Sequence, residues 1–192
     1  MFAATLCCCL LAAVANAVRV EYFAFGSNMH PRTMRTTRAI VPMLTARGVV
    51  EKHRLAFNLK GAGPEPSFAS IEPCEDDETH GVLFSLALPD FARLCASEGV
   101  PLAYALQPVR VAVYGRDLDR WRRHRPISED GYVEALTLRT TGGPWRAARD
   151  DEPRPSRRYL ATLRDGARIC ALDPAWTARL DTMLRDDAAR RV

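Results

Sequence analysis

Apolar and polar side chains alternate with a period of two along Val18–Phe25 (VRVEYFAF), a stretch rich in Val, Tyr and Phe, and that pattern predicts a first strand. Pro31 suits the first turn of a helix running to about Arg38. Val49–Val50 and Leu55–Leu59 read as short strands. Phe68–Ile71 reads as another, followed by an acidic turn, Glu75-Asp76-Asp77-Glu78, and then by a strong strand at Gly81–Leu88. Phe91, Leu94 and Cys95 recur at helical spacing between Pro89 and Gly99, so a short helix is predicted there. Val109–Tyr114 and Tyr132–Leu138 return to the strand pattern. Asp173 and Pro174 form an N-cap and first-turn pair ahead of a helix whose apolar face carries Trp176, Leu180, Met183 and Leu184. Arg116–Gly131 and Thr140–Ser156 show neither period and read as surface loops. Many short strands and few helices predict an α+β domain whose mixed sheet is curled into a small β-barrel with flanking helices.

Composition adds limits. A chain of 192 residues, 47% hydrophobic and 26% charged, has the balance of a globular protein with room for one domain of ordinary size. Residues 1–17 (MFAATLCCCLLAAVANA) stand apart. They carry no charged side chain, are too short to span a bilayer and end in Ala-Asn-Ala, the outline of a secretory signal peptide that lacks the usual basic start. The expected organisation is therefore a leader over 1–17 and a single domain over 18–192. The secretory route follows if that segment is a leader, and the cytoplasm if it is not. No stable membrane association is expected after processing.

The formal net charge of +4 comes almost wholly from arginine, since the only lysines are Lys52 and Lys60. Arginines cluster around Trp121, but Asp117, Asp119, Glu129 and Asp130 interrupt them, and no series of stacking aromatics accompanies them. Nucleic-acid binding is not expected from such a patch. Outside the leader, Cys74, Cys95 and Cys170 are odd in number and lack C-x-x-C spacing. They predict packed thiols rather than a disulfide framework or a zinc site.

Two places offer chemistry. The run Tyr22-Phe23-Ala24-Phe25 stops at Gly26-Ser27-Asn28, just before a predicted helix. Glycine permits close backbone approach, and the first N–H groups of a helix are unsatisfied, so strand, glycine turn and helix start make a ready site for an anion. The second place is Glu98, at the end of a predicted helix and before Gly99. The negative pole of the helix dipole makes a carboxylate there a stronger proton acceptor, which is what a general base needs. The acidic run 75–78 lacks the spacing of a calcium loop, the four histidines are scattered, and Ser27 lacks the G-x-S-x-G elbow of a hydrolase.

Taken in order, YFAFGSNM (Tyr22–Met29) and LCASEGV (Leu94–Val100) resemble the γ-glutamylcyclotransferase family, where the first motif is written YFAYGSN and the second sets a glutamate before Gly-Val. Phe68–Ile71, Gly81–Phe84 and Pro155–Tyr159 (PSRRY) resemble further family motifs in the same order, so the resemblance runs from about Tyr22 to Trp176. It implies a β-barrel-like domain that cyclises a γ-glutamyl-amino acid to 5-oxoproline and releases the amino acid, with a small-molecule partner and neither metal nor organic cofactor. It implies Glu98 as acid/base. It also implies that Tyr22, Phe23, Ala24, Phe25, Gly26, Ser27 and Asn28 bind substrate, with Tyr159 lining the pocket. Phe25 stands where the family usually has Tyr, and a second family tyrosine has no counterpart near Thr137. Those departures leave open a non-catalytic binding module of the same fold, or action on γ-glutamyl-lysine isopeptides. Asn28 argues against the glutathione-specific branch, which usually reads Y-G-S-L.

Overall fold

In the computed structural model, which describes residues 18–189, five strands close into a barrel. They are β1 (Arg19–Ala24), β2 (Leu44–Lys60), β3 (Ser67–Ala87), β4 (Tyr104–Val113) and β5 (Tyr132–Thr140), in the spatial order β1-β3-β2-β4-β5. The pairings are antiparallel except where β1 meets β5, in parallel, at Tyr22 opposite Leu136. Closure gives each strand two neighbours, while most of the long β2–β3 ribbon is paired only within itself. Around the barrel lie α1 (Leu88–Ser97), α2 (Gly115–Arg122), α3 (Arg157–Ile169) and α4 (Pro174–Ala189). Phe23, Ile71, Leu83, Leu86 and Val111 are fully buried in the core. The leader expected over 1–17 lies outside the described residues. Among the described residues no helix is long and apolar enough to cross a membrane.

The strands are fewer and longer than their hydrophobic pattern suggests. The two short strands expected at 49–50 and 55–59 are parts of the single 17-residue β2. The pieces expected on either side of the acidic segment are one 21-residue β3. The segment 75–78 does not reverse the chain. Glu51 pairs with Glu78 and His53 with Pro73, so Lys52 alone faces the four residues 74–77, and the ladder resumes with the same partner. Residues 74–77 thus form a bulge, which bends the ribbon locally. Arg179 of α4 secures it with two hydrogen bonds to the Asp77 carboxylate, at 2.6 and 2.8 Å.

A second correction concerns 116–131. Its first part is the helix α2, not a loop. Only Leu118 and Trp121 among its side chains are large and apolar, so the helical period is faint. Trp121 nevertheless has no exposed surface, and the arginines occupy the outer face. Asp117 ties α2 to β2 by accepting hydrogen bonds from the Arg47 backbone N–H (2.9 Å) and Nε (2.7 Å). The segment 140–156 is irregular, with short 3-10 turns at Gly143–Trp145 and Arg149–Asp151.

Candidate active site

β1 delivers the first half of the site. Along it Tyr22 turns toward the cavity, while Phe23 is fully buried and Ala24 nearly so. Phe23 contributes through its backbone: its carbonyl accepts the buried Thr137 hydroxyl at 2.7 Å, holding the parallel β1–β5 seam. Phe23 and Ala24 pack beneath the site and do not line it. Phe25, Gly26, Ser27 and Asn28 do.

Gly26 is extended (φ −96°, ψ −150°), so it is needed for space rather than for an unusual backbone. A Cβ there would stand 3.3 Å from the Tyr159 hydroxyl and 3.4 Å from Ala69 Cβ. The element that follows is a single 3-10 turn, Ser27–Met29, closed by Met29 N–H to Gly26 O and His30 N–H to Ser27 O, both 3.1 Å. It is too short to carry a helix dipole. What it offers instead is the N–H groups of Ser27 and Asn28, which lie outside its own hydrogen bonds.

α1 delivers the other half. Glu98 is its C-cap, and Gly99 follows with φ +71°. Gly99 N–H bonds to Ala96 O (3.2 Å) and Val100 N–H to Cys95 O (3.0 Å), the paired bonds of a Schellman stop. The left-handed glycine turns the chain away just where Glu98 projects into the cavity. Its side chain is only 14% exposed. Oε1 accepts from Asn28 Nδ2 at 2.7 Å and forms an ion pair with Arg38 Nη2. Arg38 also donates through Nε to Asn28 Oδ1 at 3.2 Å and through Nη1 to Ser97 O at 3.4 Å. Asn28 Nδ2 reaches the Tyr22 hydroxyl at 3.3 Å. Among the described residues no hydrogen bond goes to Glu98 Oε2. One carboxylate oxygen is anchored and the other is free.

Three phenols surround this carboxylate. Burial drives the Tyr22 hydroxyl far above its ordinary range, and the Glu98 charge adds to the shift. Burial does the same to Tyr104, whose hydroxyl donates to Ala69 O at 2.7 Å. Tyr159 is pushed up to about 12 by burial, against the pull of the Ala69 N–H, while the Glu98 charge raises it and Ser27 lowers it. All three stay protonated at neutral pH. Tyr159 reaches the cavity because α3 starts at a well-built cap. Ser156 Oγ accepts the Tyr159 N–H at 3.1 Å. The buried Glu65, from the β2–β3 connection, accepts the Ser156 N–H at 2.7 Å and its hydroxyl at 2.5 Å.

The space itself has two parts. An inner recess of about 30 Å³ lies among Tyr22, Phe25, Gly26–Asn28, Tyr104, Leu138 and Tyr159, with Glu98 at its side. It has room for a carboxylate or an oxyanion, not for a whole amino acid. An outer cavity of about 490 Å³ shares Ser27, Glu98, Tyr104 and Tyr159 with it and extends to Arg38, Leu59, Lys60, Phe68 and Trp145. Every predicted site residue except Phe23 and Ala24 thus borders one connected space. Arg38, Tyr104, Lys60, Phe68 and Trp145 were not foreseen. Arg38 is one arginine among many, Phe68 opens a motif that reads only as a strand, and Lys60, Tyr104 and Trp145 sit on strands or loops that carry no motif. Among the described residues no three His, Cys, Asp or Glu side chains come together as metal ligands would.

Comparison with known proteins agrees with this architecture. No family model matches the chain. It is 30% identical over 177 residues to the γ-glutamyl cyclotransferase aclK of Aspergillus oryzae. That alignment takes in 84% of this chain, which spans 60% of the relative's length. Among solved structures, a γ-glutamyl cyclotransferase superposes with a TM-score of 0.64 at 19% identity, covering 85% of this chain and 87% of the other. YkqA from Bacillus subtilis gives 0.63 at 24% identity, covering 87% and 54%. The yeast γ-glutamyl cyclotransferase specific to glutathione gives 0.56 at 14% identity, covering 88% and 96%. With the closed five-strand barrel and these comparisons taken together, the chain has the γ-glutamylcyclotransferase fold and is similar in sequence to a γ-glutamyl cyclotransferase.

Proposed function

We propose that this protein cyclises a γ-glutamyl-amino acid to 5-oxoproline and releases the free amino acid, with Glu98 as general acid/base. The observation that carries the reading is the Glu98 carboxylate, held on Oε1 by Asn28 and Arg38 with Oε2 open beside a recess of oxyanion size.

The substrate's α-amine attacks its own γ-carbonyl carbon. A five-membered ring closes and the bond from that carbon to the leaving nitrogen breaks. The α-ammonium gives up two protons in becoming the ring amide, and the released amine gains two. Glu98 Oε2 relays protons from the first nitrogen to the second and ends as it began. Arg38 and Asn28 fix the orientation of the carboxylate by holding Oε1. The N–H groups of Ser27 and Asn28 and the neutral phenols of Tyr22 and Tyr159 supply donors for the oxyanion that forms as the carbonyl is attacked. Attack is intramolecular, so the protein needs no nucleophile. Its work is to fold the substrate and move protons.

The test is product analysis with γ-glutamyl-alanine in ¹⁸O-water. Cyclisation gives 5-oxoproline without label and alanine in equal amounts. Labelled glutamate would mean hydrolysis and overturn the reading, as would an absence of products from a folded protein.

A further inference from the structure

The recess beside Glu98 is built for small groups, but the outer cavity is far larger than the reaction at its floor requires. At about 490 Å³ it falls within the range of sites that enclose a whole small ligand. Its far wall is apolar: Leu59, Ala62, Phe68 and Ala103 face it, with Trp145 at the rim. Trp145 is 55% exposed, a large apolar surface left facing water. The chain that follows it is anchored. The next residue, Arg146, donates to Glu72 Oε2 at 2.7 Å, and Ala147 N–H bonds to Asn58 O at 2.8 Å. Glu72 is itself fixed by Asn58 Nδ2 at 2.8 Å and Arg139 Nη2 at 2.8 Å. Phe68 is braced edge-on against Tyr159, with ring centroids 5.6 Å apart at 89°. An uncovered tryptophan that lines the same cavity as a braced phenylalanine offers a surface to an apolar ring.

The same wall carries one cation. Lys60 ends β2 at the cavity mouth. Lys52, the other lysine, is paired with Glu75 at 2.7 Å, whereas among the described residues Lys60 has no carboxylate partner. An amino acid leaving group that put its side chain on Trp145 and Phe68 would have its carboxylate within the field of that ammonium.

Resting on the cyclotransferase reading above, we infer that the outer cavity selects γ-glutamyl compounds whose leaving amine belongs to a large apolar or aromatic amino acid, with Trp145 and Phe68 receiving the side chain and Lys60 the carboxylate. Burying a ring that alanine lacks corresponds to a preference of roughly tenfold to a hundredfold.

The experiment compares γ-glutamyl-phenylalanine, γ-glutamyl-alanine and γ-glutamyl-phenethylamide, which keeps the ring and lacks the carboxylate. The expected kcat/KM ratio of phenylalanine to alanine compound is at least about tenfold. Trp145→Ala should bring that ratio close to one. Lys60→Met should raise KM for the phenylalanine compound severalfold and leave the phenethylamide's KM unmoved. Equal kcat/KM for the phenylalanine and alanine compounds in the wild-type protein overturns the inference while leaving the cyclotransferase reading intact, and so does a ratio unchanged in Trp145→Ala. The same pair is measured by calorimetry on Glu98→Gln. Tighter binding of the phenylalanine compound there supports the inference, and equal binding overturns it, even if no substrate turns over and the reaction itself must be abandoned.

Discussion

Glu98 has one oxygen held and one free, and at the scale of single residues the proposed chemistry rests on this asymmetry. Glu98→Gln keeps the shape and the Oε1 contact with Asn28 but removes the proton acceptor. Its expected effect is a loss of about 10²–10⁴ in kcat, with the melting temperature nearly unchanged. Arg38→Met should lower kcat by a smaller factor, because Asn28 still positions the carboxylate. Gly26 tests a different property. Alanine would press its Cβ on the Tyr159 hydroxyl at 3.3 Å and force the phenol aside. Gly26→Ala should therefore cost about tenfold in kcat/KM and only ~1 kcal/mol of stability by urea unfolding.

Among elements, the end of α1 matters most. Gly99 at φ +71° stops the helix and aims Glu98. Gly99→Ala should cost about 1 kcal/mol from backbone strain and reduce kcat more than it changes KM, because it moves the proposed base rather than the binding wall. Denaturant unfolding and steady-state kinetics on the same preparation separate the two effects. This stop was legible in the sequence, because a glycine after an apolar helical face has few other uses. So were β1, the small turn after it and the C-terminal helix. The long ribbons were not. A bulge looks like a turn when only local chemistry is read, and nothing in Glu75–Glu78 reveals that β2 pairs with β3 on both sides of it. α2 was hidden because two apolar residues in a charged run give almost no period, although one of them, Trp121, is wholly buried. In the site, the residues of contiguous motifs were readable. Arg38, Tyr104 and Trp145 were not, because only the closed barrel brings them to Glu98.

The barrel as a whole is clamped by carboxylates that gain cationic partners on folding. Burial opposes the charge on Glu72, yet hydrogen bonds from Arg139 and Asn58 and the charge of Arg146 hold its carboxyl below the ordinary 4.5. Hydrogen bonds from Arg179 hold Asp77 below 3.8 despite partial burial. Asp117 is likewise below 3.8, with burial outweighed by Arg47. A folded-state pKa below the unfolded value means that the unfolded chain takes up protons first as the pH falls. Stability from these three groups is complete above about pH 5 and is lost through pH 4 and below. Glu21 runs the other way: burial raises it above 4.5 against the pull of Arg125, so it contributes stability at low pH that fades as its carboxyl ionises. Urea unfolding between pH 7 and pH 3 should show a net fall on acidification that is shallower in Glu72→Gln and steeper in Glu21→Gln. In the proposed function, this barrel holds one half-free carboxylate beside a folded γ-glutamyl chain. The most direct measurement is the rate of 5-oxoproline release from γ-glutamyl-phenylalanine by the full chain and by Glu98→Gln, with binding of the same compound to both followed by calorimetry. The account predicts turnover by the wild-type protein, turnover at least about a hundredfold slower in the variant, and comparable binding by both. Equal rates in the two proteins, or no 5-oxoproline from a folded wild-type protein, would contradict it.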